Sequence, residues 1–250
     1  MERVTAIVLT LNEEKEIAEC LRTLLWADEI VVLDSGSQDR TVEIARDLGA
    51  KVFFHPFRNY ADQRNHALGL VRTEWVLFVD ADERVPPELA EEIREAVEEE
   101  GFCGWWIPRK NYICGRWIQH GGWYPDYQLR LMRPQKAYYN PVWELHEIVV
   151  VEGETGYLRH HLIHYNYRTW GEFIARQRAY LPLEVRTLYK RGMKAKIWSP
   201  LSMPLREFWR RYLRLEGYKD GLHGLILACL MAFYTMMAYT CLLLSKPEIK

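Results

Sequence analysis

Through the first hundred residues, apolar runs of strand length alternate with stretches of helical periodicity. The runs fall at 4–9 (VTAIVL), 30–33 (IVVL), 51–54 (KVFF) and 75–79 (WVLFV). Helical stretches occupy roughly 13–25, 39–48, 60–70 and 87–99. Strands separated by helices of about 10–15 residues predict βαβ units and a parallel sheet. The runs are nearly continuous in apolar residues, as expected where helices cover both faces of the sheet. Pro86 and Pro87 open an acidic helix, EEIREAVEEE, that ends at Gly101 and reads as a solvated face.

From 104 to 164 the pattern shifts to short aromatic runs (WWIP, YQLRLM, HEIVVV, YLRHHLIHY) broken by Gly, Pro and Asn. These predict shorter strands, some antiparallel, joined by loops. Trp105, Trp106, Trp117, Trp123 and Trp143 fall here. Such rings either fill a core or form a platform for the apolar faces of a sugar.

Residues 169–191 read as a helix, and 204–216 (PLREFWRRYLRLE) as a basic amphipathic one. Leu205, Phe208, Trp209, Tyr212 and Leu213 share one side; Arg206, Arg210, Arg211 and Arg214 lie around the other. Aromatic residues beside a basic face suit a membrane interface. Residues 222–244 follow, with no Asp, Glu, Lys or Arg. They are long enough to cross a bilayer, re-enter it or lie in it, and a buried core helix is the alternative. Gly221, Gly224, Ala228, Ala232 and Thr235 form a stripe of small residues suited to close helix packing.

Charge sharpens this division. The 250-residue chain has a net charge of −1. Residues 1–158 carry 17 basic and 28 acidic groups, whereas 159–219 carry 14 and 4. A basic block beside an apolar run selects an anionic membrane surface as partner over nucleic acid. Positive charge ahead of the run places that block on the cytoplasmic side. The five scattered cysteines fit a reducing compartment. The N-terminal apolar run is too short, and too closely followed by acids, for a signal peptide.

The candidate chemistry gathers at strand ends. Asp80-Ala81-Asp82 leaves the strand WVLFV, and ligands of an open parallel sheet bind at such carboxyl ends. Two neighbouring carboxylates repel, and a hard divalent cation removes that penalty. Thr10, Leu11, Asn12 and Glu13 leave the first strand in the same way, and Asp34 leaves the second. Gln63, Arg64 and Asn65 lie on the helix before the fourth strand. With Asp80 and Ala81 these are the nucleotide-binding candidates. Taken singly, Asn12 and Asp34 also read as caps or turn residues and Arg64 as a surface charge.

TLNEE, VVLDSGSQDRT, QRNHAL and VLFVDADE, in that order over about residues 4–100, resemble the nucleotide-sugar half of family-2 glycosyltransferases of the GT-A fold. DYQLRLMR, WELHE and HYNYRTWGEF resemble the narrower group of lipopolysaccharide-core β-glucosyltransferases. The resemblance implies an α/β fold with a Rossmann-like mixed sheet flanked by helices, here followed by a C-terminal membrane-associated helical segment. It implies a GT-A domain over 1–168, with a nucleotide-sugar half (1–100) and an acceptor half (101–168), and C-terminal helices over 169–250. It further implies inverting transfer of a hexose, commonly glucose, from a UDP-sugar. The acceptor is a glycolipid or lipopolysaccharide-core-type molecule at the cytoplasmic face of the inner membrane, where the chain is peripheral or anchored by one segment. Asp82 then binds Mn²⁺ or Mg²⁺, Asp80 lies by the ribose and metal, and Asp34 contacts the base.

Such a reaction needs a base for the acceptor hydroxyl and cationic donors for the departing diphosphate. Asp126 resembles the acidic position of the family's Glu-Asp motif, although Pro125 stands where the Glu is common. Glu147 in WELHE is the second candidate base; the structural alternative for either is an ion pair to Arg130 or Arg133. His164 is a third metal ligand or a diphosphate donor, and Arg168, Arg176 and Arg178 are further diphosphate candidates. The competing classes are a phosphatase, a nucleotidyltransferase and a non-catalytic membrane adaptor. In haloacid-dehalogenase-like phosphatases the D-x-D follows the first strand rather than the fourth, with Thr or Val where Arg84 stands here. A pyrophosphorylase would carry a Gly-rich loop where this chain has LNEEKE.

Overall fold

A computed structural model describes residues 3–140 and 149–244. Strands β1 (Val4–Thr10), β2 (Glu29–Asp34), β3 (Lys51–Phe54) and β4 (Trp75–Asp80) run parallel in the order β3-β2-β1-β4. Helices α1 (Ile17–Arg22), α2 (Thr41–Asp47) and α3 (Tyr60–Leu70) connect them, and α4 (Pro87–Ala96) follows the two-residue strand β5 (Glu83–Arg84). The period of two along a strand sorts the core into two layers. Val4, Ala6 and Val8 join Val32, Leu77 and Val79 under α1 and α4. Ile7 joins Val31, Leu33, Val76 and Phe78 under Ala61 and Ala67 of α3. Each buried Val, Leu, Ile or Phe side chain among these contributes about 1.5–3 kcal/mol. Cover on both faces is why these strands lack the polar alternation of a half-exposed sheet.

The remaining strands are β6 (Phe102–Ile113), β7 (Arg116–Trp117), β8 (Asp126–Met132), β9 (Ala137–Tyr139), β10 (Val149–Val151), β11 (Glu154–Tyr157) and β12 (Leu162–Tyr167). β8 lies antiparallel beside β4, and β6 antiparallel beside β8. The full order is β3-β2-β1-β4-β8-β6-β12-β5, the mixed, helix-flanked α/β sheet expected from the sequence. The sequence reads only short strands after residue 104, yet β6 spans twelve residues. Pairing with β8, β7 and β11 satisfies its backbone along that length.

Two contact units divide the chain: Met1–Arg109 with Asp126–His164, and Lys110–Pro125 with Tyr165–Lys250. The sequence reading places one boundary after residue 168. The segment 110–125 instead belongs with the C-terminal helices, because Asp220 accepts from the backbone N–H groups of Gln119 (3.2 Å) and His120 (2.8 Å).

In this second unit α5 (Trp170–Lys190) begins at Thr169, whose hydroxyl accepts from Glu172 N–H at 3.2 Å. Next come α6 (Ser199–Phe208), a π-helical turn over Trp209–Arg214 and α7 (Gly221–Leu244). The sequence reads one helix opening at Pro204. The structure opens it at Ser199, because Pro200 already occupies the first turn, where a missing N–H leaves no bond unmade. α7 is long and apolar enough to cross a membrane. It buries Gly224, Leu227, Ala228 and Ala238 and exposes Leu222, Phe233 and Leu244. At Gly224 a Cβ would stand 1.8 Å from the Gly217 carbonyl oxygen, so that contact requires glycine.

Candidate active site

The parallel register brings the expected residues to one edge. Thr10 pairs with Asp34 at the ends of β1 and β2, and Leu9 pairs with Asp80 at the end of β4. Asp34 is only 3% exposed, and its carboxylate is fully engaged. Oδ1 accepts from the backbone N–H of Gly36 (2.9 Å) and Ser37 (2.8 Å), and Oδ2 from the hydroxyls of Thr10 (3.0 Å) and Ser37. Asn12 sits in the left-handed region at φ 59°, and its Oδ1 accepts from Gln38 N–H at 2.8 Å. Asp34 and Asn12 thus brace the first two loops against each other. Leu11 is exposed at this edge. Glu13 N–H donates to the Thr41 hydroxyl at 2.8 Å.

The Asp80-Ala81-Asp82 turn is held from several strands. Arg130 of β8 donates from Nη1 to Asp80 Oδ1 (3.3 Å) and from Nη2 to Asp80 Oδ2, and Nη2 also reaches Glu83 Oε1 (3.1 Å). Arg64 donates to Asp80 Oδ1 at 3.3 Å. It is no surface charge: it is 8% exposed, and its guanidinium lies over the rings of Phe78 (5.1 Å) and Tyr139 (5.5 Å). Glu83, fully buried, accepts from Asp80 N–H at Oε2 (2.9 Å) and from Arg109 Nη1 at Oε1 (3.1 Å). Burial works against the Asp80 anion, but Arg130 and then Arg64 outweigh it and hold the carboxyl well below the usual carboxylate range. Burial likewise works against the Arg130 cation, and Asp80 and Glu83 outweigh it, raising its pKa. The sequence argument leaves the two aspartates to repel until a cation arrives. The structure corrects this for Asp80, whose charge arginines already balance.

Asp82 faces another way. Its Oδ2 stands 3.4 Å from Nε2 of His164, which β12 carries opposite Glu83. Among the described residues no group of three His, Cys, Asp or Glu side chains forms a cation cage. A carboxylate and an imidazole fit a hard or borderline divalent ion whose other positions go to ligand oxygens. Asp82 and His164 are therefore the residues able to hold one.

Asp126 ends up in the same network, though not as an ion pair to Arg130 or Arg133. Its Oδ2 accepts from Arg109 Nε (2.9 Å) and Nη2 (2.6 Å), and its Oδ1 from Gln128 Nε2 (2.8 Å). The pairing of Arg109 with Asp126 across β6 and β8 makes this possible. Arg130 is taken by Asp80 and Glu83, and Arg133 Nε by the Phe102 carbonyl at 3.1 Å. Glu147 and Trp143 lie outside the described residues.

Gln63 Nε2 donates to the carbonyl of His55 (2.8 Å) and the hydroxyl of Ser35 (3.2 Å), so it buttresses the second loop. Asn65 exchanges two 2.8 Å hydrogen bonds with the backbone of Tyr139. Ala81 is buried beneath the turn. Arg168, Arg176 and Arg178 belong to the second unit. There Arg168 N–H donates to Glu172 Oε2 (2.8 Å), the Arg176 guanidinium lies 5.2 Å from the Tyr167 ring centre, and Arg178 is exposed. Trp105 is core: it is buried, and a Cβ on Gly156 would fall 2.2 Å from its ring.

Sequence reasoning missed Glu83 and Arg109 and gave Arg130 only a minor part. A signal existed for Arg130, a charge between two leucines of an apolar strand, where it is buried only if paired. Arg109 carries no such local mark.

A mixed sheet with an acidic turn at the end of its fourth strand, joined by loops from the first two, is the kind of strand-end site at which open α/β sheets bind ligands. Residues 5–165 match the model of glycosyl transferase family 2, and the chain belongs to that family. This membership sets aside the phosphatase, nucleotidyltransferase and adaptor readings. The chain is 30% identical over 241 residues to the lipopolysaccharide core biosynthesis glycosyltransferase LpsC of Rhizobium meliloti (strain 1021), covering 94% of this chain and 89% of that one. It is 42% identical over 94 residues to an uncharacterized glycosyltransferase of Rickettsia felis, covering 37% and 33%. Among solved structures it is similar to glucosyl-3-phosphoglycerate synthase from Mycobacterium tuberculosis in complex with Mn²⁺, UDP and glucosyl-3-phosphoglycerate. That likeness has a TM-score of 0.37 and 26% identity over 46% of this chain and 45% of the other, too slight to bear on the reading.

Proposed function

We propose that this glycosyltransferase is a metal-dependent, inverting hexosyltransferase. It moves a hexose, glucose foremost, from a UDP-sugar to a glycolipid or lipopolysaccharide-core-type acceptor. It works at the cytoplasmic face of the inner membrane, held peripherally or by one segment. The observation that carries the donor reading is the contrast within the acidic turn: arginines fix Asp80, while Asp82 is left beside His164 at the strand ends. The acceptor reading draws on the similarity to LpsC and on the apolar helix α7.

On this reading Asp82 and His164 hold Mn²⁺ or Mg²⁺. The ion, when bound, offsets negative charge on the departing diphosphate. Asp80, immobilised by Arg130 and Arg64, orients the ribose and the turn. Asp34 has four acceptor sites and four donors on them, so a contact to the uracil displaces one donor. Asp126 or Glu147 takes the proton from the acceptor hydroxyl as its oxygen bonds to the anomeric carbon and the bond to the diphosphate breaks on the opposite side. Asp126 is pre-oriented for this by Arg109.

A thermal-shift panel of nucleoside diphosphates, with and without Mn²⁺, tests the proposal. Stabilisation selective for UDP and dependent on the ion is expected. Equal shifts for all bases, or none with the ion present, would overturn the donor assignment.

A further inference from the structure

The second unit contains a cleft of about 400 Å³ between α5, α6 with its π-helical turn, and α7. Four arginines line it (Arg206, Arg210, Arg211 and Arg214) against two carboxylates (Glu184 and Glu207), a net charge of +2. Two of the arginines are committed. Arg210 donates to both oxygens of Glu207 (2.8 and 2.7 Å), and Arg211 donates to Glu207 (2.6 Å) and to the Gly121 carbonyl (2.9 Å). Among the described residues, the side chains of Arg206 and Arg214 make no hydrogen bond or ion pair. The apolar part of the cleft comes from Leu188 of α5, Met203 of α6, Trp209 of the π-helical turn, and Met231, Tyr234 and Tyr239 of α7.

A soluble anion would use the guanidiniums and leave that apolar wall unmatched. An uncharged lipid would do the reverse. Beside the cleft Leu205, Trp209 and Leu213 project into solvent, at 63%, 54% and 51% exposure. Apolar chains leaving the cleft would meet them. The π-helical winding of Trp209–Arg214 is a rare conformation that occurs frequently at functional sites. We infer that this cleft is a binding site for a lipid with a phosphate headgroup, gripped by Arg206 and Arg214 while its acyl chains lie along the apolar residues of α6 and α7. Guanidiniums suit this role, because they offer paired donors to phosphate oxygens and shed water more readily than ammonium groups. The site goes beyond the transfer reaction and uses none of its residues.

The test uses the full chain and short-chain phosphatidic acid, titrated calorimetrically, with flotation on phosphatidylcholine vesicles with and without added phosphatidic acid. The double variant Arg206→Gln with Arg214→Gln should bind phosphatidic acid about tenfold more weakly or worse, the scale of losing one or more charged hydrogen bonds. Its thermal unfolding should not change, since neither side chain has a partner to lose. The variant Lys194→Gln with Lys196→Gln removes equal charge from outside the cleft and should bind as the parent does. Equal losses in both variants would mean diffuse surface attraction and overturn the site. Inorganic phosphate binding as tightly as the short-chain lipid would overturn the lipid assignment, and so would no binding at all. Asp82→Asn should bind the lipid normally, so failure of the transfer proposal and failure of this one are read separately.

Discussion

Arg130 donates to both carboxylate oxygens of Asp80 from fifty residues further along the chain. One of its nitrogens also reaches Glu83, and through Glu83 the clamp continues to Arg109 and Asp126. The acidic turn and one candidate base are therefore parts of a single charge network centred on buried Glu83, and moving one member disturbs the others.

Replacement of Asp82 by Asn removes the carboxylate beside His164 and leaves the Asp80 clamp intact. Transfer is expected to fall by about 10²–10³-fold or more, on the scale of losing one electrostatic stabiliser of a developing charge. Product formation measures the loss, and unchanged thermal unfolding shows that the fold is kept. Near-normal turnover would contradict the metal role.

Arg130→Met keeps the side-chain volume but leaves Glu83 buried with only Arg109 to balance it. Removing one partner of a buried ion pair costs about 3–5 kcal/mol. An unfolding free energy from urea titration lowered by that amount is expected, together with loss of activity. An unfolding free energy within about 1 kcal/mol of the parent, as a surface charge gives, would show that the clamp contributes little.

The same clamp sets a pH dependence. The Asp80 pKa lies below the ordinary aspartate value of 3.8, so on acidification the unfolded chain takes up its proton first. Its contribution to stability is present in full above about pH 5 and drains as pH falls through 3.8 toward the lower folded-state value. Asp80→Asn should be less stable than the parent at neutral pH and lose less stability below about pH 4. Urea unfolding across the acid range measures both. Parallel curves for the two proteins would refute the linkage.

Asp126→Asn and Glu147→Gln separate the two candidate bases. Loss of the base should lower kcat by about 10²–10⁴-fold with little change in UDP affinity, and should remove the acid limb of the rate profile. Replacing the other residue leaves that limb in place. A limb that survives both substitutions would exclude both residues.

Gly224→Ala places a methyl group against the Gly217 carbonyl within the second unit. Overpacking of this kind costs about 1–3 kcal/mol. A lower unfolding temperature in detergent is expected, with unchanged nucleotide binding by the first unit. An unchanged temperature would mean that the helix entry shifts freely.

The chain by itself determined the alternation of strands and helices to residue 100, the edge where Thr10, Asp34 and Asp80 meet, and the apolar span of α7. These follow from local periodicity and from the rule that parallel strands present their carboxyl ends together, both of which are written in consecutive residues. Only the tertiary structure decided that Asp80 is neutralised by Arg130 and Arg64, that Asp126 pairs with Arg109, and that residues 110–125 join the C-terminal helices. Those outcomes depend on antiparallel register and on which guanidinium reaches which carboxylate first. Charges in a sequence carry no address, and several arginines could have met each acid until β6 and β8 fixed their order.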